Sequence, residues 1–293
     1  MRGGPGQYVL ITAEDGGIVN DPVLLRVEEN RWWLALADSD AGLWARGAAV
    51  YSGLDVTVRE PDVHPVQVQG PKSKDVIRTL FGDAVADLRS CWTAEASVDG
   101  IPVVISRTRW TGEVGYEVYL RDGARGGDLW DRIMEAGRPH DIRPIAPCEA
   151  RRIEAGIFNY GSDMTIENNP FEVSGLERLV EPQEANYIGK AALERIRVEG
   201  VSRKLVGLEV DGAALPFEIA EKRPALHRGE PVGIVTDLIW SPRLERNVGY
   251  VWVPIELAEP GNDLEIRGPD GSRAFGRTAA LPFIDPKKQV PLG

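Results

Sequence analysis

Sulfur and imidazole are scarce in this chain. Its 293 residues hold two cysteines, Cys91 and Cys148, and three histidines, His64, His140 and His227. Two cysteines cannot build a disulfide framework, and no histidine or cysteine pair has metal-ligand spacing, so a structural zinc site is not expected. Positive charge is also short, with 34 Lys and Arg against 45 Asp and Glu and a formal net charge of −11. Such a chain lacks the basic face that nucleic acids and anionic membranes require, and an anionic ligand would need a few local Arg or Lys. No apolar run approaches the ~18 residues of a membrane span, and the opening MRGGPGQYVLIT has no signal-peptide core. A Walker loop, a GxGxxG fingerprint, a GxSxG elbow and an HExxH pair are all missing. Kinases, dehydrogenases, serine hydrolases and zinc enzymes are thereby disfavoured. These absences predict a soluble cytoplasmic protein with no metal.

What is present is an ordinary globular composition, 43% hydrophobic and 27% charged, long enough for two or three domains. The first forty residues read as short strands: Tyr8 to Thr12, Pro22 to Val27 and Trp32 to Ala37, with AEDGG as a turn between the first two. A helix is expected from about Asp40, with Leu43, Trp44, Ala48, Val50 and Tyr51 at helical spacing and Gly53 at its end. Val56 and Val58 alternate with polar neighbours, and HPVQVQGP reads as a strand stopped by Gly-Pro. A helix then carries Val76, Ile77, Leu80 and Phe81 on one stripe. Strands near 88–94, 101–108 and 115–120 lead to a second helix, on which Leu129, Trp130, Ile133 and Met134 share a face. A third helix covers about 147–156. From Lys204 onward, LVGLEV, PVGIV, VGYVWV, DLEIRG and GRTAAL indicate an all-β domain, a barrel or a sandwich.

Several segments can carry chemistry. In RWTGEVGYEVYL (109–120), Gly112 and Gly115 allow a tight turn and close backbone approach, and Glu117 points away from Tyr116 and Val118 on a strand. Which face of that strand is buried is not readable from the segment, and a solvated hairpin is an equal alternative. In EARRIEAGIFNYGSDM (149–164), Glu149 and Arg152 stand three apart on one helix face. Gly156 then ends the helix and leads Asn159 and Tyr160 into a loop. Taken alone, that helix reads as a surface helix laced with ion pairs. The segment GGIVNDP (16–22) is by itself a turn containing Asn20 and Asp21. Of the eight tryptophans, Trp44 and Trp130 read as core, whereas Trp110 and Trp240 stand beside turn-like polar residues and suit a pocket wall.

In this order, GGIVND, VQVQGPKS, TGEVGYE, RRIEAGIFNYG, NPFEVSGLERLV and YIGKAALERI followed by LVGLEV resemble the tetrahydrofolate-binding aminomethyltransferase family typified by the glycine cleavage T-protein. The wording of NDPVLLR, LALADSDAGLWARG, EPDVHPVQVQGPKSKDV and WSPRLERNVGY is similar to the dimethylsulfoniopropionate demethylase branch. The resemblance covers nearly the whole chain. It implies an α+β fold, a clover-leaf of three domains around a folate channel, the last of them a β-barrel. The domains would be a discontinuous first one over 1–53 and 145–198, an α/β domain over 54–144, and the barrel over 199–293.

The resemblance also implies tetrahydrofolate as cofactor. Glu117 would bind the pterin's amino and amide edge, since a carboxylate accepts two N–H donors at once. Arg152 would sit beside the folate, Tyr160 would line the channel, and Tyr8 falls at the family's aromatic position ahead of the GG turn. Asn20 and Asp21 would be the catalytic pair. The T-protein has Asp-Asp there, and Asn20 cannot ionise to help a cationic amine, which favours methyl transfer from a small methylated donor. The expected product is 5-methyltetrahydrofolate. Trp110 and Trp32 are candidates to face an onium group by cation–π contact, and Asp38 to supply a counter-charge. A glycine-cleavage aminomethyltransferase and a non-catalytic folate-binding module are the alternatives. Family members carry several dozen residues ahead of the position of Tyr8. A chain without them is expected to expose apolar surface on the strands at 7–12 and 23–27, and to self-associate or meet a second subunit.

Overall fold

A computed structural model describes residues 4–36, 40–215, 222–268 and 271–292. Five short strands open the chain: β1 (Gln7–Tyr8), β2 (Ile11–Thr12), β3 (Ile18–Asn20), β4 (Val23–Glu28) and β5 (Arg31–Ala35). Helix α1 (Ala41–Tyr51), strand β6 (His64–Gln69) and helices α2 (Ser73–Phe81) and α3 (Asp83–Ala86) follow. Next come β7 (Thr93–Val98), β8 (Ile101–Ser106), β9 (Gly115–Leu120), α4 (Gly126–Gly137), α5 (Glu149–Glu154) and α6 (Lys190–Glu199). The remainder is β10 (Arg203–Val210), β11 (Arg223–His227), β12 (Glu230–Ser241), β13 (Arg246–Pro254), β14 (Asp263–Arg267) and β15 (Arg273–Ala279). The fold is thus mixed helix and sheet, as expected. Among the described residues no helix is long and apolar enough to cross a membrane.

The chain divides into two compact units, each assembled from separated stretches of sequence. The first comprises Met1–Val9, Asp21–Pro147 and Lys288–Gly293, and the second Leu10–Asn20 and Cys148–Lys287. In the first unit an antiparallel sheet runs in the order β6-β9-β8-β7. Alternation sends Tyr116, Val118 and Leu120 of β9 to one face, where they meet Val76 and Ile77 of α2 and Leu129 and Ile133 of α4. The opposite face carries Val104 and Tyr119 under Leu25 and Val27 of β4, which belongs to a small sheet ordered β1-β4-β5.

Some local expectations differ from the structure. Residues 55–60 form no strand, because their alternation meets no strand edge among the described residues. Residues 88–92 turn rather than extend, and β7 begins at Thr93. Trp130 is 43% exposed although Leu129 and Ile133 beside it are buried. Adjacent helical positions lie about 100° apart, so Trp130 sits at the edge of the stripe rather than within it. On α1 only Ala41 is buried, while Leu43, Val50 and Tyr51 are exposed. The apolar surface expected on the strands near 23–27 is in fact sealed at Leu25 and Val27. Exposed apolar side chains include Leu34 on β5, Leu36 just after it, and Leu43 and Val50 on α1.

The second unit is dominated by a closed barrel, in the order β10-β13-β12-β11-β14-β15, with β15 pairing back onto β10. Its interior is filled by Val206, Leu208, Val235, Leu238, Val251, Leu264 and Ile266. Of the two all-β possibilities, the barrel is correct. Strand β12 carries a bulge between Val235 and Asp237, and its partner β13 comes very close at Gly249. A Cβ on Gly249 would lie 1.9 Å from the Asp237 carbonyl oxygen. We therefore expect Gly249→Ala to cost about 3 kcal/mol or more, the upper end of overpacking, because backbone rather than a movable side chain stands in the way. Urea unfolding monitored by tryptophan fluorescence checks this. A loss below about 1 kcal/mol would mean the two strands separate at little cost.

Candidate functional site

Strand β9 places Glu117 opposite Gln67 of β6 on one side and opposite Ser106 of β8 on the other. Three donors converge on its half-buried carboxylate. Gln67 Nε2 donates to Oε1 at 2.9 Å, while Thr108 Oγ1 and Tyr119 OH both donate to Oε2 at 2.6 Å. The Thr108 hydroxyl is itself in very short contact with Ser106 Oγ. Upstream, Gly112 turns the chain at φ +70, and a Cβ on Gly115 would strike the Gln69 amide at 2.4 Å. Gln69 spans that turn, accepting from Thr111 Oγ1 at 3.0 Å. These three donors are neutral, so they orient the carboxylate without forming an ion pair with it.

Gln67, Thr108 and Tyr119 were not singled out by the sequence. Their signal was the polar half of three alternating patterns: Gln67 and Gln69, Ser106 and Thr108, Glu117 and Tyr119. Only the sheet order brings those three halves onto one face. Burial, and then the neighbouring Glu117 charge, push the Tyr119 phenol above its ordinary value, so it remains a proton donor.

In the same unit, Tyr8 OH donates to Asp21 Oδ2 at 2.7 Å, which joins two of the residues implied by the resemblance. Trp32 is half-exposed, and the Arg26 guanidinium lies over its ring at 5.3 Å, so that face already holds a cation. Trp110 is half-buried beside the TGEV turn. Asp38 lies outside the described residues.

The second unit holds Asn20, Arg152 and Tyr160. Asn20 is fully buried at the end of β3, opposite Ile11. Arg152 is 1% exposed, so α5 is not a surface helix. Its guanidinium is divided among three carboxylates and a carbonyl. Nε donates to Glu149, Nη1 to Asp163 Oδ2 at 2.9 Å and to the Ile157 carbonyl at 3.0 Å, and Nη2 to Asp237. Asp163 also accepts from the Asn159 amide at 2.8 Å and from Thr236 Oγ1 at 2.9 Å. Consecutive strand residues normally face opposite ways, and the bulge in β12 lets Thr236 and Asp237 serve one cluster. The loop that carries Tyr160 is therefore pinned at Ile157, Asn159 and Asp163. Asp163 and Asp237 were not foreseen, because a bulge leaves no mark in the residue pattern here.

Comparison with known proteins gives the family. Residues 1–184 match the GCVT N-terminal domain, and residues 203–285 match the glycine cleavage T-protein C-terminal barrel domain. The chain belongs to the glycine cleavage T-protein family. As a member of that family it is a one-carbon transferase enzyme. The dimethylsulfoniopropionate demethylase DmdA of Ruegeria pomeroyi is 36% identical over 266 residues, covering 91% of this chain and 72% of that protein. An aminomethyltransferase of Synechococcus sp. (strain RCC307) is likewise 36% identical over 282 residues, covering 92% of this chain and 75% of that protein. In fold, the chain resembles the glycine cleavage system aminomethyltransferase T of Bartonella henselae, with a TM-score of 0.79 at 22% identity. That match covers 96% of this chain and 76% of the other. The family assignment and the barrel agree with the resemblance read from the motifs.

Three carboxylates on one guanidinium give this T-protein family member a pH-sensitive joint. Burial pushes Asp237 up to about 6, against the pull of Arg152 and with help from the Asp163 charge. A folded-state value above the unfolded one means that the folded chain holds the proton more tightly. The stability from this group is present below the ordinary carboxylate range and is lost as pH rises through about 6. Asp237→Asn keeps an oxygen for Arg152 Nη2 but cannot ionise. We expect it to remove up to about 1.4 kcal/mol per pH unit of that decline. Urea midpoints between pH 4.5 and 7 measure it, and parallel slopes for both proteins would place the titration elsewhere.

Proposed function

We propose that this chain is a tetrahydrofolate-dependent methyltransferase that demethylates a small methylated compound, a sulfonium, a methylated amine or betaine, or a methoxy-aryl ether. The observation that carries the choice of methyl over aminomethyl transfer is Asn20. A fully buried amide stands where the T-protein has an acid, so no carboxylate charge arises there for a cationic aminomethyl group. The neighbouring Asp21 keeps the carboxylate of the family pair and accepts from the Tyr8 hydroxyl. DmdA, at 36% identity, is named as a demethylase and supports the same reading.

The residues present fit a folate. Glu117 is oriented by three neutral donors and half-exposed, which suits it to accept from the amino and amide edge of a pterin. When bound, the folate supplies the nucleophilic nitrogen that takes the methyl group. The chain's own contribution is then alignment and exclusion of water, a proximity effect that reaches ~7–11 kcal/mol in favourable cases. Arg152 acts from behind in this reading: it ties the Ile157–Asp163 loop and so sets where Tyr160 stands. Trp110 serves better than Trp32 as the aromatic wall for a cationic donor, since Arg26 already covers Trp32.

Aminomethyl transfer is the second reading, favoured by the equal identity of the Synechococcus aminomethyltransferase. The two are separated by incubating the protein and tetrahydrofolate with a panel of sulfonium, betaine and methoxy-aryl donors and, in parallel, with an aminomethylated carrier protein. Formation of 5-methyltetrahydrofolate from a member of the panel is expected. Ammonia release from the carrier would overturn the methyl reading, and folate binding without turnover of any donor would favour a binding module.

Two variants sharpen this. Glu117→Ala should weaken tetrahydrofolate binding by about 1–3 kcal/mol through loss of the acceptor, and calorimetry on the folded variant measures it. Unchanged affinity would take Glu117 out of the site. Asn20→Asp should yield no ammonia from the carrier, because one charge does not create a docking surface for it. Ammonia release by that variant alone would make position 20 the sole determinant of the reaction.

A further inference from the structure

Tyr119 shares with Glu117 the face of β9 turned away from the helices. Its ring is buried between Leu25, Val27 and Val104, with Trp33 edge-on at 5.6 Å, so the phenol has one place to put its hydroxyl. That hydroxyl donates to Glu117 Oε2 at 2.6 Å. The same oxygen accepts from Thr108, and Oε1 accepts from Gln67. A carboxylate has about four acceptor positions, and three are occupied. Oε2 is filled by its two hydroxyls, whereas Oε1 keeps one free. Thr108 has a second acceptor within reach, Ser106 Oγ, and can turn its proton there. The Tyr119 hydroxyl also meets the Ser106 and Thr108 hydroxyls, but its aromatic packing keeps the oxygen at the Glu117 carboxylate and prevents it from swinging away.

We propose that Tyr119 is a positioning residue that locks the Glu117 carboxylate in the orientation needed to grip a ligand's amino edge, with Thr108 as the yielding donor that releases a second acceptor position on binding. This rests on the reading of Glu117 as the folate-binding carboxylate. Tyr119 touches no ligand in this scheme and acts only through Glu117. A locked carboxylate loses no rotamer freedom on binding, which is how a buried phenol raises affinity for something it does not contact.

The test uses calorimetry with two probes, tetrahydrofolate and an analogue lacking the 2-amino group, on Tyr119→Phe and Glu117→Gln. Tyr119→Phe should weaken tetrahydrofolate about 10-fold, the size of one lost hydrogen bond. It should weaken the desamino analogue far less, because that probe has lost the group that Glu117 grips. Thr108→Val, which removes the donor that must give way, should bind tetrahydrofolate more tightly than the parent, which provides a second route if Tyr119→Phe fails to fold; weaker binding by it would overturn the yielding role. An equal loss on both probes would reduce Tyr119 to a packing residue and overturn the proposal, as would no loss on either. If Glu117→Gln binds tetrahydrofolate normally, the folate reading of Glu117 itself fails. If Glu117→Gln is impaired and Tyr119→Phe is not, only the positioning role fails.

Discussion

The second unit depends on how one guanidinium, that of Arg152, shares its donors among Glu149, Asp163, Asp237 and the Ile157 carbonyl. Removing a guanidinium and several carboxylates from water costs several kcal/mol per ion, and only close geometry with further hydrogen bonds offsets it. Asp163 meets that condition through the Asn159 amide and the Thr236 hydroxyl. The partners come from three places: the helix itself, the loop after it, and the bulged barrel strand. Each is held by the others, so a single side chain fastens α5 and the Tyr160 loop to β12. Tyr250 adds a ring 6.0 Å from the guanidinium and donates its hydroxyl to the Ile157 carbonyl at 3.1 Å.

The first unit handles its important carboxylate in the opposite way. Around Arg152, one cation holds three carboxylates in direct ion pairs. Around Glu117 the donors are an amide and two hydroxyls, which fix direction while leaving the charge in place. Neutral donors suit a binding group, because an ion pair would have to be broken before a ligand could use the carboxylate. The two arrangements differ in kind: one ties a helix, a loop and a strand together, the other orients a half-exposed carboxylate.

Much of this was legible in the residues. The GG turn, the helix stripe at Val76 and Ile77, the strand from Gly115 to Leu120 and the β-rich tail all follow from periodicity and turn residues. The candidate carboxylate was visible as well, since Glu117 stands in a β-rich run beside two glycines. The surroundings were not. Gln67 and Tyr119 come from β6 and β9, and Thr108 from the chain just after β8, and the order β6-β9-β8 that brings them together is a tertiary property. Trp130 and the exposed side of α1 show the converse failure: helical spacing defines a stripe, but how wide a stripe is covered depends on what packs against it.

Local sequence determined the element types, the turns, the acidic balance and the ordered motifs that carry the family, because each depends on neighbouring residues and their backbone preferences. The tertiary structure alone decided that a charged helix is buried rather than solvated, since that depends on a bulge 85 residues away placing Asp237 against Arg152. It also decided that Tyr119 and Glu117 form one unit with strands β6 and β8. Burial and hydrogen-bond partnership are properties of the space around a side chain, and residues distant in sequence fill that space.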